Sequence, residues 1–135
     1  MISKIKVPMS QPAFDTETEN YMFDVIKSGW WSQGKITEQF EKNLSEYFPS
    51  NAIVVNNGTS AITAALLAHG IKPGDKVVVP DYTFIATCSA AKIIGAEILV
   101  ADVDPNTLNV RPESIEKLVK ENDVKAVIVV DMAGL

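Results

Sequence analysis

The sequence predicts an α/β fold, a largely parallel sheet with helices on both faces. Three observations predict it. Short apolar runs, Val77-Val78-Val79 and Ala126-Val127-Ile128-Val129-Val130, read as strands buried on both faces. Helix-length segments lie between the strands, and Gly70 and Gly95 close two of them. Polar turn residues gather after the strands, at 56–58, 81–84, 102–104 and Asp131. Open parallel sheets bind their ligands at that carboxyl edge.

Taken in order, residues 16–28 predict an amphipathic helix, with Tyr21, Met22, Val25 and Ile26 at helical spacing and Gly29 as its stop. Residues 30–35 form a turn with two adjacent tryptophans. A second helix spans 36–48, with Phe40, Leu44 and Tyr47 on one stripe and Pro49 after it. The pattern then alternates: strand 52–55, helix 60–69, strand 76–79, helix 83–94, strand 97–101, helix 112–122 and strand 125–130. No helix follows to cover the last strand, so either that strand is an edge or something must pack there; the chain reads as one domain, 1–135, truncated by missing sequence.

Composition excludes several classes of function. The chain has 135 residues, enough for one domain with a core, and its 47% hydrophobic and 21% charged residues suit a globular protein. A net charge of −5 with scattered Lys and Arg argues against nucleic acid as a partner. No apolar run reaches the roughly 18–20 residues that cross a bilayer, and residues 1–8 lack the apolar core of a secretory signal. The single cysteine, Cys88, excludes an internal disulfide and fits a reducing compartment. A cytoplasmic protein is expected.

The chemistry-bearing segment is Asn56-Asn57-Gly58-Thr59-Ser60, between a strand and a helix. Free backbone N–H groups and the positive end of the helix dipole make an anion site there, with Thr59 as cap and hydroxyl donor. In isolation the motif reads as a simple capped turn. Tyr82 and Phe84, after the next strand, are core aromatics or a wall for a flat heterocycle attached to that anion. His69 precedes Gly70 and reads as a helix-end cation rather than a catalyst. Cys88 reads as a buried inert thiol, and Asp102 with Asp104 as a turn rather than a metal pair. Trp30 and Trp31 are packing residues or a ligand or interface wall. No G-x-G-x-x-G follows the first strand, which disfavours a dinucleotide site.

Ser28-Gly29-Trp30, Gln33-Gly34, Gly58-Thr59-Ser60-Ala61, Lys72-Pro73-Gly74-Asp75, the run from Pro80 to Thr87 and Asp102-Val103-Asp104-Pro105 occur in this order. Together, from about Val7 to Leu135, they resemble the N-terminal part of the DegT/DnrJ/EryC1/StrS sugar aminotransferases. These are fold-type I pyridoxal-phosphate (PLP) enzymes of the aspartate aminotransferase superfamily. The resemblance implies that Gly58 and the backbone of Thr59 and Ser60 hold the PLP phosphate, Ser60 standing where the family has Ala. It implies that Phe84, or next Tyr82, stacks on the pyridine. Trp30, Gln33 and Gly34 would lie near a nucleotide-sugar pocket and dimer contact. A glutamate-like donor would pass nitrogen to a nucleotide-linked keto-sugar for polysaccharide, glycan or antibiotic sugar synthesis, in a homodimer. The lysine that bonds the cofactor and the carboxylate on its pyridine nitrogen come from later segments in that family. Neither motif is in these residues, and Asp131 matches an earlier family position. The resemblance therefore assigns no catalytic residue to this chain. The alternative is a non-catalytic relative, a small oligomeric α/β module binding phosphate or nothing, with another copy covering an edge strand.

Overall fold

The computed structural model describes residues 10–134, so the leader reading of residues 1–8 lies outside it. The chain divides into two compact units, Met1–Ile53 and Val54–Leu135.

The first unit carries α1 (Thr16–Ser28) and α2 (Lys35–Tyr47). Asp15 caps α1 by accepting the Thr18 N–H, Glu17 and Glu19 sit at its positive end, and Gly29 ends it at φ +69°. The bounds of α1 are those the sequence predicts. α2 begins one residue early, after an extended Gly34, and ends at Phe48. Neither helix has a fully buried residue. On their apolar stripes Tyr21, Met22, Ile26 and Phe40 are exposed, while Val25 and Leu44 are half-buried.

The second unit contains α3 (Gly58–Ala68), β1 (Lys76–Pro80), α4 (Ala86–Ile93), β2 (Glu97–Ala101), α5 (Pro112–Glu121) and β3 (Val124–Val127). Its three strands are parallel in the order β2-β1-β3. From β1 the chain steps one way to β2, then back across to β3. With right-handed crossovers, opposite steps put α4 and α5 on opposite faces. α3 packs against α4, and α5 packs against β2 and β3. The α/β class with helices on both faces is therefore observed.

The core lies on the α3/α4 face: Leu66, Ile71, Val77, Val79, Ala91 and Ala96, with Ile62, Ile98 and Ala126 packed on it. Val78 is also fully buried. Full burial of one such side chain stabilises by about 1.5–3 kcal/mol. Two glycines shape this layer. Gly70 and Gly95 adopt φ +78° and +81°, and each ends its helix with a paired set of bonds. Ile71 N–H reaches Leu66 O while Gly70 N–H reaches Leu67 O, and Ala96 and Gly95 repeat the arrangement on Ala91 and Lys92.

Four expectations are corrected. Residues 52–55 form no strand, because none of the three strands pairs with them. The sheet therefore has three strands among the described residues rather than four. β3 stops at Val127 rather than 130, and residues 126–130 alternate between half-buried and exposed, as an edge strand does. The α3 cap is Asn57, not Thr59, and α4 starts at Ala86 rather than residue 83.

Candidate functional site

In a parallel sheet a helix that precedes a strand and one that follows it run antiparallel to that strand. α3 leads into β1 and α4 leaves it, so both begin at its carboxyl edge. The Thr63 hydroxyl, near 3.3 Å from the Ala90 carbonyl, ties the two helices side by side.

At the start of α3, Asn57 Oδ1 accepts the Ser60 N–H at 2.9 Å, and the Asn57 carbonyl accepts the Ala61 N–H at 3.1 Å. No hydrogen bond within the described residues uses the Gly58 or Thr59 N–H. They point out of the first turn, where the helix dipole is positive. That turn carries no acidic residue, and a Cβ on Gly58 would meet nothing within 4 Å. Thr59 and Ser60 are half-buried and add hydroxyls. The cradle thus consists of two amides and two hydroxyls. Asn57 escaped the sequence reading, although its spacing of three residues before Ser60 is the capping signal.

Tyr82 and Phe84 follow β1 at the same edge. Phe84 is 77% exposed and Tyr82 52%, so neither is a core aromatic. The backbone that carries them is held from below. Asp81 N–H donates to Ala101 O at 2.9 Å, and the Thr83 and Thr87 hydroxyls lie 2.8 Å apart, with Thr87 buried. This i,i+4 threonine pair joins the loop, which holds Thr83, to the first turn of α4. Sequence reasoning missed the pair.

In the first unit, Trp30, Gln33 and Gly34 stand together. The Trp30 indole N–H donates to the Gln33 carbonyl at 2.9 Å. Its ring lies over Gly34, where a Cβ would come within 2.8 Å of the indole nitrogen. Trp31 donates to Ile26 O at 3.3 Å. These residues, with Val25 and Ile36, line a groove of about 720 Å³.

The other singled-out residues have structural duties. Asp104 Oδ1 accepts the Asn106 and Thr107 N–H groups at 2.8 and 2.9 Å, which makes the expected turn. The Thr107 amide, then that of Asn106, holds the Asp104 carboxyl below its ordinary pKa. His69 is the exposed C-cap of α3. Cys88 is half-buried rather than buried. Lys125 is paired with Asp123 at 2.8 Å, a bond that raises its pKa. No group of three or more His, Cys, Asp or Glu that could hold a metal occurs among the described residues. None of their helices is long and apolar enough to cross a membrane.

A family model described as the DegT/DnrJ/EryC1/StrS aminotransferase family matches residues 12–135. The chain is similar to the spore coat polysaccharide biosynthesis protein SpsC of Bacillus subtilis, 36% identical over 129 residues that cover 95% of this chain and 33% of the relative. Among solved structures, a DegT DnrJ EryC1 StrS aminotransferase from Brucella abortus is similar at 35% identity and a TM-score of 0.76. That match covers 87% of this chain and 33% of the other. The E. coli GDP-4-keto-6-deoxy-D-mannose-3-dehydratase with bound hydrated PLP is similar at 25% identity and a TM-score of 0.79, covering 90% and 33%. The chain therefore spans about a third of the length of these relatives.

Proposed function

Since this chain belongs to the DegT/DnrJ/EryC1/StrS aminotransferase family, we propose that it forms the cofactor-phosphate and ring-wall part of a PLP-dependent sugar aminotransferase. The observation that carries this reading is the start of α3. Two outward amide donors, no acidic side chain and open space at Gly58 stand at the carboxyl edge of the sheet. An anionic phosphate fits that chemistry.

In this reading Gly58 and Thr59 N–H groups hold the phosphate, with the Thr59 and Ser60 hydroxyls beside them. The Ser60 amide is engaged by Asn57 Oδ1, so Ser60 contributes through its side chain. Phe84 is the better ring wall, being the more exposed, with Tyr82 second. When bound, PLP supplies an electron sink for charge developing at the carbon that carries nitrogen. The residues described here bind and orient; a lysine and a carboxylate from elsewhere in a longer protein would move the proton and tune the ring.

The substrate proposed is a nucleotide-linked keto-sugar, with an amino acid as donor. Support comes from the sugar-polysaccharide role in the name of SpsC and the GDP-sugar in that of the E. coli dehydratase. Trp30, Gln33 and Gly34 are the proposed substrate or interface residues. A cytoplasmic homodimer completes the reading. The second reading, a non-catalytic phosphate-binding module, is separated by one experiment. The full-length protein is incubated with PLP, reduced with borohydride, weighed intact and peptide-mapped. One stoichiometric adduct on a single lysine is expected. Sparse adducts scattered over many lysines would leave only the module.

A further inference from the structure

One side chain joins two segments at the carboxyl edge that lie far apart in sequence. Asn109 Oδ1, in the loop between β2 and α5, accepts the Met132 N–H at 2.8 Å. Met132 opens a 3-10 turn, Met132–Gly134, beyond β3, and β1 lies between β2 and β3 in the sheet. The loop therefore reaches past the end of the central strand to hold the far one.

Both ends of this bond are braced. On the loop side, Asp104 N–H donates to Asn109 O at 2.9 Å, Leu108 N–H donates to Asp104 O at 2.8 Å, and Val103 bridges Val110. On the turn side, Gly134 N–H donates to Asp131 O at 3.1 Å. Leu108 at φ +61° and Ala133 at φ +55° are the non-glycine residues in the left-handed region among the described residues. Each costs on the order of 1 kcal/mol or more, and such residues persist where their surroundings over-determine them. They flank the Asn109–Met132 bond, one on each side. Immediately before the turn stands Asp131, exposed, at the edge where α3 begins.

We propose that Asn109 is a positioning residue: by accepting the Met132 N–H it fixes the 132–134 turn, and so the Asp131 carboxylate, at the edge of the proposed site. There the carboxylate is an acceptor for an ammonium or hydroxyl group of the substrate. The role of Asp131 rests on the aminotransferase reading; the bond from Met132 does not.

The test uses the full-length protein and two readouts. In amide hydrogen exchange, Asn109→Ala speeds exchange at Met132 about tenfold, while Asn109→Asp, which keeps the Oδ1 acceptor, stays within about twofold of the parent. In transamination, Asn109→Ala lowers kcat/KM about tenfold and Asn109→Asp restores it. In an Asp131→Asn background, Asn109→Ala causes no further loss, because its effect passes through that carboxylate. Equal Met132 exchange in parent and Asn109→Ala overturns the pin, and additive losses overturn the positioning of Asp131. If Asn109→Ala does not fold, a Met132 amide unprotected in the parent, or fast in Asn109→Asp, overturns it equally. A full-length protein that takes up no PLP defeats the aminotransferase reading and the role of Asp131 with it, while the Met132 exchange still decides the pin.

Discussion

Asp15 shows how much a single exposed carboxylate can do for a helix. Its Oδ1 accepts both the backbone N–H and the hydroxyl of Thr18 at 2.9 Å. The Thr18 amide, then its hydroxyl, lowers the Asp15 pKa from its ordinary value. A carboxyl whose pKa is depressed in the folded state contributes stability above its unfolded value of about 3.9. That contribution is lost as pH falls through the folded value. The Thr18 amide resonance is therefore expected to titrate below about pH 4, and Asp15→Asn, which caps without titrating, abolishes that step. A Thr18 resonance that ignores acid would contradict the assignment. Asp104 follows the same sign in its own turn. Gly34 is a different case. Its backbone is extended and unstrained, and a side chain there would have to displace the Trp30 ring.

At the scale of elements, the start of α3 combines two functions that mutation can separate. Asn57→Ala removes the cap and is expected to cost about 1 kcal/mol in denaturant unfolding. Asn57→Asp keeps the acceptor but sets a negative charge in the cradle, so it keeps stability and weakens PLP or inorganic phosphate binding. Equal loss of stability in both variants would remove Asn57 as the cap. Helix limits were largely legible in the sequence because their signals are local. Asp15 with Thr18, Gly29, Gly70, Gly95 and Pro112 mark ends without reference to the rest of the fold. The start of α4 was not legible: Thr83 lies in the loop, and the first bonds of the helix run from the Thr87 and Cys88 N–H groups to Phe84 and Ile85 O, beyond it. Likewise Asn57 was passed over for Thr59, although both are good capping residues; the backbone path chose between them.

Across the whole molecule, apolar surface is left uncovered in both units. Ile53 is 84% exposed and Val129 58%, and Tyr21, Met22 and Ile26 on α1 and Phe40 on α2 are exposed. Among the described residues, both outer strands, β2 and β3, also have one unpaired side. The 135-residue chain is therefore expected to self-associate with rising concentration, and Val127→Lys on β3 to reduce that association. Light scattering checks this, and a clean monomer of the unaltered chain at every concentration would refute it.

By itself the sequence determined the α/β class, most of the helix ends, and the two segments that carry the proposed cofactor contacts. Apolar periodicity and capping chemistry depend on near neighbours along the chain, so these are written locally. Only the tertiary structure decided which apolar run became a strand. Residues 52–55 and 76–79 look alike in sequence, but a strand exists only where a neighbour accepts its hydrogen bonds, and β1 alone has two. Tertiary structure also decided that Phe84 faces outward and that Asn109 reaches Met132 across 23 residues, because both depend on how the chain returns on itself.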